Sequence, residues 1–166
     1  MKKTNLSDYD PNAVPDGKGY RIAVVAAEWN SQVTDAMMNG AIDTLREHGI
    51  DREDIDVYRV PGTFELTTAA ELILDRTAVN AVICIGCVIQ GETRHFEFIC
   101  QAVSQGLTSV AIKHARPVIF SVLTCDTMEQ ALDRAGGKHG NKGVEGAITA
   151  LKMIHFDRNI DFVLPF

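Results

Sequence analysis

The chain has 166 residues, 46% of them hydrophobic and 23% charged, which is the size and balance of one domain whose core needs neither disulfides nor metal. Its formal net charge of −6 excludes a general affinity for nucleic acid or anionic membrane, so an anionic ligand must be held by local cations and backbone N–H groups. No apolar run approaches the roughly 20 residues that cross a bilayer. Lys2 and Lys3 lead into no apolar stretch of the secretory kind, so a cytoplasmic location is expected.

Residues 1–19, with Pro11, Pro15, Gly17 and Gly19, lack periodicity and read as an extended arm, leaving 20–166 as a single domain. Arg21 to Ala27 is a continuous apolar run, the mark of a strand covered on both faces. Val33, Met37, Ala41 and Leu45 follow at steps of four and predict a helix closed by Gly49. A strand from Ile55 to Val60 ends at Pro61-Gly62, and Phe64, Leu66, Ala69, Leu72 and Ile73 predict a helix to about Arg76. Val79 to Ile85 is the most apolar strand. The loop Gly86 to His95 and a helix from about His95 to Gly106 come after it. Pro117 to Leu123 is the fourth buried strand, and helices are expected over Met128 to Ala135 and Val144 to about Phe156. Strands alternating with helices mean right-handed βαβ units, hence a four-stranded parallel sheet in a three-layer α/β/α sandwich.

Cys84 and Cys87 form a C-x-x-C, but no second pair of cysteines or spaced histidines completes a tetrahedral zinc site. Cys84 lies inside an apolar strand rather than at a helix start, so buried structural cysteines are expected, and no metal.

Open parallel sheets bind ligands beyond the carboxyl ends of their strands. That rule selects Glu28-Trp29-Asn30, Pro61 to Glu65, Gly86 to His95 and Thr124-Cys125-Asp126. Trp29 either packs under the loop or offers a flat surface to a planar heterocycle. Glu65 either complements the dipole of the helix it opens or accepts from a ligand N–H. Gly91 allows close approach of a ligand, and Thr93 with helix-start amides can hold phosphate. His95 is either a capping residue or a proton shuttle, since an imidazole exchanges protons near neutrality. The stretch Ala135 to Gly143 fails as a phosphate loop, because Gly143 follows Lys142 where Ser or Thr is required. It also fails as a guanine-reading N-K-x-D, because Val144 stands at the aspartate position. Arg134, Lys138 and Lys142 still gather there, either around a solvated turn or as a phosphate grip led by Arg134.

Together these segments resemble the lumazine synthase family, the penultimate enzymes of riboflavin biosynthesis. The resemblance runs from about Arg21 to Ile154. It is carried by Trp29-Asn30, Val60-Pro61-Gly62-Thr63-Phe64-Glu65, Gly86 to His95, Pro117-Val118-Ile119-Phe120, Arg134-Ala135-Gly136 and Gly140-Asn141-Lys142-Gly143. It implies a flavodoxin-like fold and a condensation, without cofactor, of 5-amino-6-(D-ribitylamino)uracil with 3,4-dihydroxy-2-butanone 4-phosphate. The products are 6,7-dimethyl-8-ribityllumazine, phosphate and water. In family terms Trp29 stacks on the pyrimidine beside Asn30, and Thr63, Phe64, Glu65, Cys87, Val88 and Ile89 contact the pyrimidine and ribityl chain. Glu92 and Thr93 line the phosphate site with Arg134 as cationic partner, Lys142 is a second cation near it, and His95 transfers protons. Phe120 packs on the ring from a neighbouring subunit. Phenylalanine also occurs in the family at the position of Trp29, and Thr63 is larger than the alanine often found at its own.

Family members form pentamers, and some pack twelve of them into a hollow 60-subunit icosahedral shell; riboflavin synthase is a candidate partner for such a shell to enclose. The turn Gly136 to Gly143 carries no insertion, which resembles the shell-forming members. Two further readings stand beside this one: the archaeal type of riboflavin synthase, which consumes the lumazine, and a flavin- or lumazine-binding or shell protein without activity.

Overall fold

The computed structural model describes Asn5 and residues 7–160; residues 1–4 and 6 of the expected arm and 161–166 of the expected domain lie outside them. The four apolar runs become β1 (Ile22–Ala27), β2 (Ile55–Val60), β3 (Ala81–Ile89) and β4 (Val118–Cys125), all parallel in the order β2-β1-β3-β4. Every residue of β1 is buried, as are the first seven of β3, because these two central strands carry helices on both faces.

Alternate strand residues face opposite layers. Ile22, Val24, Ile83, Ile85, Ile119 and Leu123 pack with α1 (Ser31–Glu47), α4 (Met128–Asp133) and α5 (Lys142–Asn159). Val25, Val82, Cys84 and Val122 pack with α2 (Leu66–Arg76) and α3 (His95–His114). The result is the three-layer α/β/α sandwich that the alternation of elements predicts, in the flavodoxin-like form that the resemblance implies. The same alternation separates the C-x-x-C: Cys84 points to the α2/α3 layer and Cys87 to the α1/α5 layer, so the two thiols face opposite sides of the sheet.

The element ends depart from expectation where tertiary contacts extend or stop them. Gly86 to Ile89 belong to β3 rather than to a loop, because β4 continues to Cys125 and keeps the ladder going as far as Ile89. The loop proper is Gln90–Arg94. Helix α3 does not end at Gly106 but runs on to His114, and at Gly106 it rides so close to Thr67 of α2 that a Cβ would collide with that side chain. Helix α4 stops at Asp133, and Ala135–Gly137 (β5) then pairs antiparallel with Gly140–Asn141 (β6) in a small hairpin.

The described part of the arm lies on its own chain. A short 3-10 turn, Pro11–Ala13, starts at Asp10, whose side chain accepts from the Asn12 N–H. The Gly17 N–H donates to the His48 carbonyl at 2.6 Å, Val14 and Tyr20 lie against the α1/α5 core, and the Arg158 guanidinium stands 4.4 Å from the centre of the Tyr20 ring.

Candidate functional site

In this strand order the chain switches direction between β1 and β3: α1 leaves β1 into one layer and α3 leaves β3 into the other. Open α/β sheets hold ligands in the crevice at such a switch point, beyond the carboxyl ends of the strands. Asn30 shapes its floor. It sits at the start of α1 in the left-handed region (φ 59°), which frees its side chain from capping the helix, and its Nδ2 donates to the Cys87 carbonyl at 2.9 Å. The buried Thr63 hydroxyl donates to the same oxygen at 3.4 Å. One carbonyl of β3 thus draws the ends of β1 and β2 together.

Over this floor stands Trp29. Its N–H donates to the Pro61 carbonyl at 3.1 Å, and its ring lies against Gly62, where any Cβ would strike it. The indole is nonetheless 66% exposed, so it is not packed beneath the loop but presents a free aromatic surface. Phe64, 54% exposed, stands on the next strand end. The Glu65 carboxylate turns back to accept the Gly62 N–H at 3.0 Å, which pins the Pro61-Gly62 turn. Val88 and Ile89 are half-buried at the end of β3, one toward each layer. Cys87 contributes its backbone rather than its sulfur: burial, with Cys125 close by, pushes the thiol up to about 12, so little nucleophilic thiolate is present near neutrality.

Beyond Gln90, Gly91, Glu92, Thr93 and Arg94 are all exposed, and so is His95, the first residue of α3. The Thr93 hydroxyl accepts the His95 N–H at 3.4 Å, a local turn that starts α3. The loop therefore carries its polar groups on an open surface, at the positive end of a 20-residue helix.

Phe120, Arg134 and Lys142 lie elsewhere. Phe120 pairs with Cys84, five residues before the level at which Ile89 meets Cys125. At the rise of a strand that is roughly 16 Å down the sheet from the crevice. Phe120 is 38% exposed on the edge strand β4, and it lines a groove of about 690 Å³ bounded by the end of α3 and by α5, with Ser121, Lys142 and Glu145 on its α5 side.

Arg134 reaches the same edge through Glu145. Arg134 Nη2 donates to Glu145 Oε1 at 2.6 Å, Lys142 Nζ to Oε2 at 2.9 Å, and Arg134 Nη1 to the His139 carbonyl at 2.6 Å. Burial opposes ionisation of Glu145, but hydrogen bonds from Lys142, Arg134 and Ser7 outweigh it and hold the carboxyl below its ordinary range. Two cations around one carboxylate leave the group with a net positive charge suited to a phosphate. Glu145 was not among the residues singled out from sequence, although the Lys142-x-x-Glu145 spacing in the first turn of α5 carries the signal.

The expected site residues thus form two groups on one chain. Trp29, Asn30, Thr63, Phe64, Glu65, Cys87, Val88, Ile89, Glu92, Thr93 and His95 gather at or just beyond the ends of β1, β2 and β3. Phe120, Arg134 and Lys142 gather along β4.

The chain was also compared with known proteins. The family model described as 6,7-dimethyl-8-ribityllumazine synthase matches residues 19–158. A protein of that name from Porphyromonas gingivalis is 56% identical over 154 residues, covering 93% of this chain and 96% of the relative. One from Cytophaga hutchinsonii is 55% identical over 150 residues, covering 90% and 94%. Another, from Parabacteroides distasonis, is 49% identical over 152 residues, covering 92% and 95%.

Proposed function

The chain belongs to the 6,7-dimethyl-8-ribityllumazine synthase family, and from that premise we infer how its own residues carry the family's reaction. It is a transferase of riboflavin biosynthesis, joining 5-amino-6-(D-ribitylamino)uracil to 3,4-dihydroxy-2-butanone 4-phosphate and releasing 6,7-dimethyl-8-ribityllumazine, phosphate and water. We place the reaction in the cytoplasm.

The pyrimidine stacks on the exposed face of Trp29. The strand ends at Thr63–Glu65 and Cys87–Ile89 meet its polar edge and ribityl chain, largely through backbone groups. Glu92 and Thr93 border the phosphate at the start of α3. His95 moves protons as the amine adds to the ketone, water leaves, phosphate is eliminated and the second carbonyl condensation closes the ring with loss of a second water. Every one of these steps transfers a proton. Much of the acceleration comes from holding two reactants in register, an effect that can lower a barrier by about 7–11 kcal/mol.

The observation that carries this assignment is the shared Cys87 carbonyl, which binds Asn30 and Thr63 and so joins three strand ends beneath an exposed Trp29. The separation of Phe120, Arg134 and Lys142 from that crevice supports a second element of the reading: each site is completed by the β4 edge of a neighbouring copy. Phe120 then closes on the ring, and Arg134, with Lys142, meets the phosphate. We propose a pentamer as the unit that closes this arrangement, since a head-to-tail contact gives a ring when its rotation closes and the family resemblance implies five copies. We further propose assembly of pentamers into a 60-subunit shell, with riboflavin synthase as its enclosed partner; the uninterrupted Gly136 to Gly143 turn supports the shell.

The test is a product assay. Purified protein given both substrates should release lumazine, followed by its absorbance, and phosphate in equal amounts. Quenching of Trp29 fluorescence by the pyrimidine without turnover would instead identify a binding protein.

A further inference from the structure

Resting on the reading of Arg134 as the phosphate-binding cation, we propose that Ser7, in the N-terminal arm, is a positioning residue for the phosphate-bearing substrate. Its hydroxyl accepts the Asn141 N–H at 2.7 Å and lies 2.9 Å from Glu145 Oε1 and 3.1 Å from the Asn141 carbonyl. A hydroxyl has one hydrogen to give, and the charged acceptor forms the stronger bond. The residue is half-buried and separated from its partners by more than 130 positions of chain, so the arm must lie back over the β5–β6 hairpin for these bonds to form.

The consequence falls on Arg134. A carboxylate beside a guanidinium prefers the two-oxygen, fork-to-fork pairing, which would occupy the edge of Arg134 needed for a phosphate. Here the two oxygens of Glu145 are divided: Oε1 is shared between Ser7 and Arg134 Nη2, while Oε2 is held by Lys142. Arg134 is therefore bound by one oxygen of that carboxylate rather than by both. Among the described residues its hydrogen bonds engage two of five guanidinium donors. Ser7 and Lys142 hold the carboxylate from turning into a competitor. Without Ser7, Glu145 is free to swing onto Arg134 with both oxygens.

The experiment uses the full-length chain and measures both substrate constants for Ser7→Ala, Ser7→Thr and Arg134→Ala. Ser7→Ala should raise the KM of the phosphate-bearing ketone about 3- to 10-fold, the scale of one ordinary net hydrogen bond. The pyrimidine KM and kcat should stay within about twofold. Ser7→Thr, which keeps the hydroxyl, should retain the wild-type ketone KM. If Arg134→Ala raises the ketone KM and Ser7→Ala does not, the positioning role is overturned while the phosphate reading stands. An equal rise in both KM values that Thr fails to restore makes Ser7 a structural clasp and also overturns it. If Arg134→Ala leaves the ketone KM unchanged, the phosphate reading falls and the role of Ser7 falls with it.

Discussion

On the proposed reading, His95 and Trp29 divide the work of the crevice between chemistry and holding. Trp29 is fixed from behind, its backbone bonded to Pro61 and its ring against Gly62, so its exposed face is presented without freedom to fold away. His95 stands exposed at the first turn of α3, where a bound substrate and water can both reach it. His95→Ala should therefore lower the single-turnover rate by about 10²-fold while leaving a measurable reaction, because register of the two reactants remains. An unchanged rate would remove His95 from proton transfer. At this scale the sequence was legible in kind. Strand-end position singled out Trp29, Thr63 and His95, but the left-handed turn that aims the Asn30 amide at Cys87 leaves no mark in composition. Whether Trp29 is buried or exposed depends on what lies opposite it. A glycine 33 positions away provides that surface, and periodicity does not report it.

Among the elements, α5 links the site to the scaffold. Asn141 begins it, its Oδ1 accepting the N–H groups of Gly143 and Val144 at 2.8 and 3.4 Å while its Nδ2 donates to the Ala36 carbonyl of α1 at 3.0 Å. Asn141→Ala removes the cap and the inter-helix bond together and should destabilise the chain by about 1–3 kcal/mol, read as a lowered denaturant midpoint. An unchanged midpoint would mean that neither bond contributes. The long elements were legible because their apolar residues repeat many times: every residue of β1 and seven of β3 are buried, and Met37, Ala41 and Leu45 mark the buried face of α1. Ends were less so. Gly106 reads as a stop but is a point of close approach to Thr67, and the strands of the β5–β6 hairpin, three and two residues long, are too short to show a period.

On the proposed reading, the whole molecule is an enclosure that a neighbouring copy completes. Trp29, Phe64 and Phe98 are exposed around the loop end of the sheet, while Ile112, Phe120 and Phe156 are exposed along the open β4 edge, an unusual amount of large apolar surface for a chain this size to leave in water. If that edge seats against the crevice of a neighbour, both surfaces are covered and each site gains the aromatic ring and the cations that it lacks. This sharing is the centre of the account, and subunit mixing tests it most directly. One variant carries Trp29→Ala and His95→Ala; the other carries Phe120→Ala and Arg134→Ala. Each alone should be nearly inactive. Co-assembled in equal amounts, they should recover activity to about a quarter of the wild-type level, since about one contact in four joins an intact crevice to an intact edge. A mixture no more active than the average of its two parents would contradict the shared site and return both groups of residues to a single copy.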